Sequence, residues 1–100
     1  MMGLDSLAEM SAEAHKLRDE ANGLQSLNRG GRACPKRASR VLRLNAATHT
    51  LISCLLTIEL AQKLGAEYDS RSYLAYQLRL VREEVDKVRE DLLEKAPVIA

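Results

Sequence analysis

Apolar residues recur at every third or fourth position in three separate stretches of this chain, and that spacing admits little besides long helices. In the first stretch Leu7, Met10, Ala14, Leu17, Ala21 and Leu24 follow one another at intervals of 3, 4, 3, 4 and 3. In the last, Leu74, Leu78, Val81, Val85, Val88 and Leu92 follow at 4, 3, 4, 3 and 4. Both are heptad stripes, which place every apolar side chain on one face of an α-helix. The middle stretch carries two stripes: Val41, Leu44, Thr48, Leu51, Leu55 and Ile58 on one side, and Leu42, Ala46, Leu56, Leu60 and Leu64 on the other. A helix apolar on two sides is a central helix, covered by neighbours of its own or of another chain.

Local signals set the ends. Ser6-Leu7-Ala8-Glu9 reads as a capping box, and Asn28-Arg29-Gly30-Gly31 as the stop of the first helix. Pro35 suits a position at or just before the next first turn. Gly65 suits a C-cap with positive φ, Asp69 or Ser70 an N-cap, and Pro97 a terminator. The expected layout is a single helical domain over residues 1–100: a helix from about 6 to 27, a basic loop over 28–37, and helices from about 38 to 64 and 70 to 95. The last two match in length as an antiparallel hairpin. The expected fold class is all-α, a three-helix bundle built on that hairpin. Five Gly and two Pro are too few for a many-stranded sandwich or barrel. Without Phe or Trp, the core must be Leu, Val, Ile, Ala and Met.

One domain is all that 100 residues provide. Met1-Met2-Gly3-Leu4-Asp5 has no basic stretch leading into an apolar core, so no signal peptide is expected. The longest uncharged run, residues 44–58, is 15 residues long, short of the ~20 needed to cross a bilayer. A soluble, cytoplasmic protein without a membrane partner is the expectation. Cys34 and Cys54 lie roughly 25 Å apart if helical, too far to bridge, which fits a reducing compartment.

The net charge of +1 conceals a segregation. Residues 21–58 contain no Asp or Glu but six cations, Arg29, Arg32, Lys36, Arg37, Arg40 and Arg43, while both flanks are acidic. The loop Arg29-Gly30-Gly31-Arg32-Ala33-Cys34-Pro35-Lys36-Arg37 runs into a helix N-terminus, whose free amides favour phosphate, and Arg40 and Arg43 extend it. These six are the expected nucleic-acid or anion-binding residues. The alternative is a solvated loop that balances the acidic ends. A single Arg-Gly-Gly is no RGG box, and there is no GxxxxGK[ST].

All three tyrosines, Tyr68, Tyr73 and Tyr76, fall within nine residues. Tyr73, Tyr76 and Leu80 form a stripe about 125° from the main face of their helix. That stripe either packs inside the bundle or, beside Arg79, meets a protein partner. Cys34 among cations is a candidate reactive thiol, and Cys54 a small core residue. His15 and His49 are isolated, so neither a metal nor a cofactor is expected. No Ser–His–Asp grouping or paired carboxylate points to catalysis, and the expectation is a non-enzyme.

The segments Glu59-Leu60-Ala61-Gln62-Lys63-Leu64 and Asp69-Ser70-Arg71-Ser72-Tyr73-Leu74-Ala75-Tyr76-Gln77-Leu78-Arg79-Leu80-Val81-Arg82-Glu83-Glu84-Val85 resemble a pattern in small phage proteins of the terminase small-subunit kind. There, a helix carrying Leu-Ala pairs meets one with a Leu-Ala-x-x-Leu-Arg core, and the hairpin assembles subunits. The resemblance covers residues 59–88, about a third of the chain, and lacks the helix-turn-helix DNA reader upstream. It implies an oligomeric, DNA-handling viral protein. The expected function is accordingly that of a self-associating helical assembly protein, a dimer or higher, using its basic loop on DNA or RNA as in DNA packaging. The alternative is a protein-partner binder, an inhibitor or adaptor acting on a host enzyme through its helical surface.

Overall fold

The computed structural model describes residues 6–30, 35–65 and 71–94. They form three helices, α1 (Leu7–Gly30), α2 (Lys36–Leu64) and α3 (Arg71–Glu94), each packed against the other two. The expected N-caps of α3, Tyr68, Pro97, Arg32 and Cys34 lie outside the described residues.

The capping box forms as its spacing predicts. The Glu9 amide donates to Ser6 Oγ at 3.1 Å, and the Ser6 amide donates to Glu9 Oε1 at 3.1 Å. Two amides otherwise left open at a helix start are thereby satisfied. Pro35 stands at the N-cap of α2 with φ −58° and ψ −28°, already helical. At the other end Gly65 takes φ 66° and ψ −142° while its amide donates to the Ala61 carbonyl, a backbone geometry that a Cβ makes costly.

The helices are longer at the first corner than expected: Asn28, Arg29 and Gly30 belong to α1, and Lys36 and Arg37 to α2. The reason is Asn28. Its side-chain amide donates to the Arg37 carbonyl at 3.1 Å, and its Oδ1 accepts from Arg40 Nε at 2.8 Å. The asparagine thus holds both helix ends in register instead of terminating one.

Cross-helix pairs give the directions. Gln25 donates to Asn45 at 2.9 Å and Asn28 reaches Arg40, so α1 and α2 are antiparallel. Arg40 reaches Asp91 at 2.6 Å, and residues 42–50 border residues 77–84, so α2 and α3 are antiparallel too. Arg82 meets Glu13 and Glu20, and Arg89 meets Glu20, which makes α1 and α3 parallel.

The heptad stripes of α1 and α3 become the core, with Leu7 and Leu92 half-buried at its ends. On α2 the fully buried set is Leu44, Ala47, Leu51, Cys54, Ile58 and Ala61, headed by Arg40. Three of these belong to the expected stripe. Val41, Thr48 and Leu55 are only half-buried, and Ala47, Cys54 and Ala61 are buried instead. The physical reason is that α2 has two seams. Ala47 borders α3 at Leu80 and Val81, and small side chains there let α3 come close; the bulkier Leu55 packs at the core's edge.

Candidate functional site

The basic corner is less free than its sequence implies. Arg40 is 5% exposed; besides Asn28 it donates from Nη1 to Asp91 Oδ2. Burying a guanidinium requires such a partner set, so Arg40 is a structural cation and not part of a solvent-facing patch. Arg37 is half-buried and donates from Nη2 to the Arg29 carbonyl at 3.1 Å. Lys36 is exposed, with Nζ 3.9 Å from Asp91 Oδ1. Arg29 and Arg43 are exposed. Lys36, Arg40 and Arg43 line a groove of about 370 Å³ together with Lys87, Glu90 and Asp91 of α3. Two carboxylates in that groove lower its attraction for phosphate.

A second surface is apolar. Tyr73, Tyr76 and Leu80 are exposed, not folded into the bundle, and Arg79 beside them is exposed as well. On α2, Leu42, Ile52, Leu56, Leu60 and Leu64 all face solvent. At 3.6 residues per turn this stripe stands about 150° from the buried face, on the far side of the helix. Where the two helices meet, Leu42, Ala46, Thr50, Gln77, Leu80 and Glu84 border a groove of about 390 Å³. Leu42 of the leucine stripe and Leu80 of the tyrosine stripe therefore meet at the α2–α3 seam. Between residues 44 and 58 no charge interrupts α2 on any side.

Charge on the opposite seam is fully engaged. Arg82 donates to Glu20 at 2.8 and 3.1 Å and to Glu13 at 3.1 Å, and lies 3.5 Å from Asp86. Arg89 donates to Asp86 at 2.7 Å and also to Glu20. Hydrogen bonds from Arg82 hold the Glu20 carboxyl below the usual carboxylate range against the opposing effect of burial, and Arg89 adds to this. The same bonds to Glu20 push both guanidinium groups upward. Among the described residues the intrahelical pairs on α3 include Arg82–Asp86, Asp86–Arg89 and Glu84–Lys87, not the Arg79–Glu83 and Glu83–Lys87 pairs that i,i+4 spacing offers; Lys95, four residues after Asp91, is outside the described residues.

Cys54 is buried, and burial pushes its thiol pKa up, which makes it a poor nucleophile. His15 and His49 are exposed and apart. Among the described residues no group of three or more His, Cys, Asp or Glu is placed to hold a metal. Sequence reasoning missed Asn28 and Asp91. Asn28 had a signal: it sits four residues after Leu24, the next heptad position of α1, where a polar residue is a buried one. By length and composition α2 is also able to cross a bilayer, with a mean hydropathy of 1.3 in its most apolar 18-residue window. Core helices of soluble bundles pass the same test.

No family model, curated protein or solved structure matches this chain.

Proposed function

We propose that this chain is a non-enzymatic binding and assembly protein that works by helix-to-helix docking through the outer face of α2 and the adjoining stripe of α3. One observation carries the reading: Leu42, Ile52, Leu56, Leu60 and Leu64 of α2 and Tyr73, Tyr76 and Leu80 of α3 all lie in solvent, and Leu42 and Leu80 border one groove. These eight large side chains range from Leu42 at 70% to Leu80 at 40% exposed. Apolar patches above a few hundred Å² mark interaction sites. Tyrosines beside an arginine are the side chains on which interfaces concentrate their energy.

A second reading keeps DNA or RNA as the partner, as in phage DNA packaging. Exposed Arg29, Lys36 and Arg43 at one end of the bundle support it, and Asp91 and Glu90 in the same groove weigh against it. The two separate by experiment. Replacing Tyr73, Tyr76 and Leu80 by Ala, together with Leu56→Glu, is expected to abolish association while helicity is retained. Wild-type protein is expected to leave duplex and single-stranded DNA unshifted at low salt. A shift that is lost when Arg29, Lys36 and Arg43 become Ala would establish the second reading instead, and its log affinity would fall with log salt by roughly one unit per contact.

A further inference from the structure

We infer that the outer stripe of α2 docks on the same stripe of a second copy, antiparallel, about a two-fold axis that passes beside Leu51. This rests on the docking reading above and names its partner.

The argument is one of register. Leu42, Ala46, His49, Ser53, Leu56 and Leu60 follow at intervals of 4, 3, 4, 3 and 4, the spacing of a coiled-coil seam. Two such seams laid antiparallel about residue 51 bring Leu42 opposite Leu60 of the second copy, and Ala46 opposite its Leu56. At Ala46–Leu56 a small side chain then faces a large one, as close packing needs. The only two polar residues of the stripe, His49 and Ser53, fall opposite each other, so neither is left against leucine. Ile52, also exposed, lies beside the axis and meets its own symmetry mate. The self-match is isologous, each pairing occurring twice, as a two-fold interface requires.

Charge selects the direction. The first turns of α2 carry Lys36, Arg37, Arg40 and Arg43, and its only acid is Glu59. Parallel pairing would set Arg43 beside Arg43 of the second copy. Antiparallel pairing avoids this: it sets the basic first turns of one helix along the half of the other that holds Glu59 and Lys63 and carries no net charge, and it opposes the helix dipoles favourably. The uncharged run of residues 44–58 covers the centre, so no ion is desolvated there.

Light scattering, circular dichroism and cross-linking test this together. Wild-type protein should run at about twice its 11.1 kDa mass, the mass of a closed dimer. Leu56→Glu and, as a second variant, Leu42→Lys should run at 11.1 kDa with helicity retained, their association weakened roughly 100-fold or more. In a Cys34→Ser background, Ser53→Cys should be joined into a covalent dimer by a short bismaleimide, and Ala12→Cys on the exposed face of α1 should not. A wild-type dimer that both stripe variants leave intact would overturn this inference and the docking reading together. A monomeric wild type at about 100 μM would overturn the second copy alone; if that monomer floats with phosphatidylcholine vesicles, a membrane is the occupant, and if it does not, the docking face takes a different protein.

Discussion

The two faces of α2 have the same grammar and opposite fates. On the inner face Arg40, Leu44, Ala47, Leu51, Cys54, Ile58 and Ala61 alternate at intervals of 4 and 3, and all are buried. On the outer face Leu42, Ala46, His49, Ser53, Leu56 and Leu60 alternate in the same way, and the leucines lie in solvent. What separates them is the polarity of the outer middle, His49 and Ser53, and the alternation of sizes. Inside, Leu44, Leu51 and Ile58 are interleaved with Ala47, Cys54 and Ala61, so a neighbouring helix can approach over the small residues. Outside, the small and polar residues are gathered at the middle, and within one chain nothing is shaped to meet them. Periodicity therefore shows that a face wants a partner, whereas the order of side-chain sizes shows which partner fits.

The sharpest way to break this comparison is to place one charge on each face. Leu51→Asp sets an unpaired carboxylate in a fully buried position; the loss should be about 4 kcal/mol or more, enough to unfold a chain of this size. Circular dichroism should show a coil. Leu56→Glu puts the same charge on the outer face and should leave the monomer's helicity unchanged, with stability within about 0.5 kcal/mol. A folded Leu51→Asp protein would show that the inner face is not the core.

A smaller effect is expected at the polar head of the inner stripe. Arg40→Ala removes the partner of Asn28 Oδ1 and of Asp91. The loss should be about 2–4 kcal/mol, because a buried acceptor is stranded as well as a bond lost. Urea denaturation measures it, and a loss below about 0.5 kcal/mol would show that Arg40 is a surface cation after all.

Smaller again is the effect on the charged α1–α3 seam, which neither face of α2 touches. Arg82→Met should cost about 1–2 kcal/mol, since its carboxylate partners are only partly shielded from water. The pH dependence sharpens the point. Glu20 is held below the ordinary carboxylate pKa, so the folded state binds its proton less readily than the unfolded state. The stability it contributes is fully present above about pH 4.3 and is lost as pH falls below that value. Thermal melts from pH 6 to pH 3 should show a fall that Glu20→Gln makes shallower; equal slopes would remove Glu20 from the account.

How much of this the sequence carried differs from helix to helix. The cores of α1 and α3 were legible because each of these helices has one apolar stripe, and one stripe has one reading. On α2 side-chain size favours Val41, Thr48 and Leu55 over Ala47, Cys54 and Ala61, and size ignores the clearance that a second neighbouring helix needs. Exposure of the tyrosine stripe was an open alternative, because spacing gives an angle on one helix and not the position of the next. The Arg82–Glu20 contact joins residues 62 apart in sequence, so only the assembled bundle reveals it. At the first corner, Asn28 and Arg40 belong to the stripes by position and were hidden by residue type, polar groups next to glycines being the ordinary composition of a loop.

The Asn28–Arg40–Asp91 junction has a consequence for alignment along the bundle axis. A repeating apolar seam is degenerate under translation: sliding α3 by seven residues, about 10 Å, sets leucine and valine back against much the same neighbours. The junction does not repeat. It joins the end of α1, the start of α2 and the end of α3 through bonds of 2.6–3.1 Å, and a slip of a single turn would strand a guanidinium in a dry interior. One polar knot thus indexes three otherwise slippery rods, so replacing it with a well-fitted apolar trio should raise the melting temperature and yield a mixture of sliding states in place of one structure.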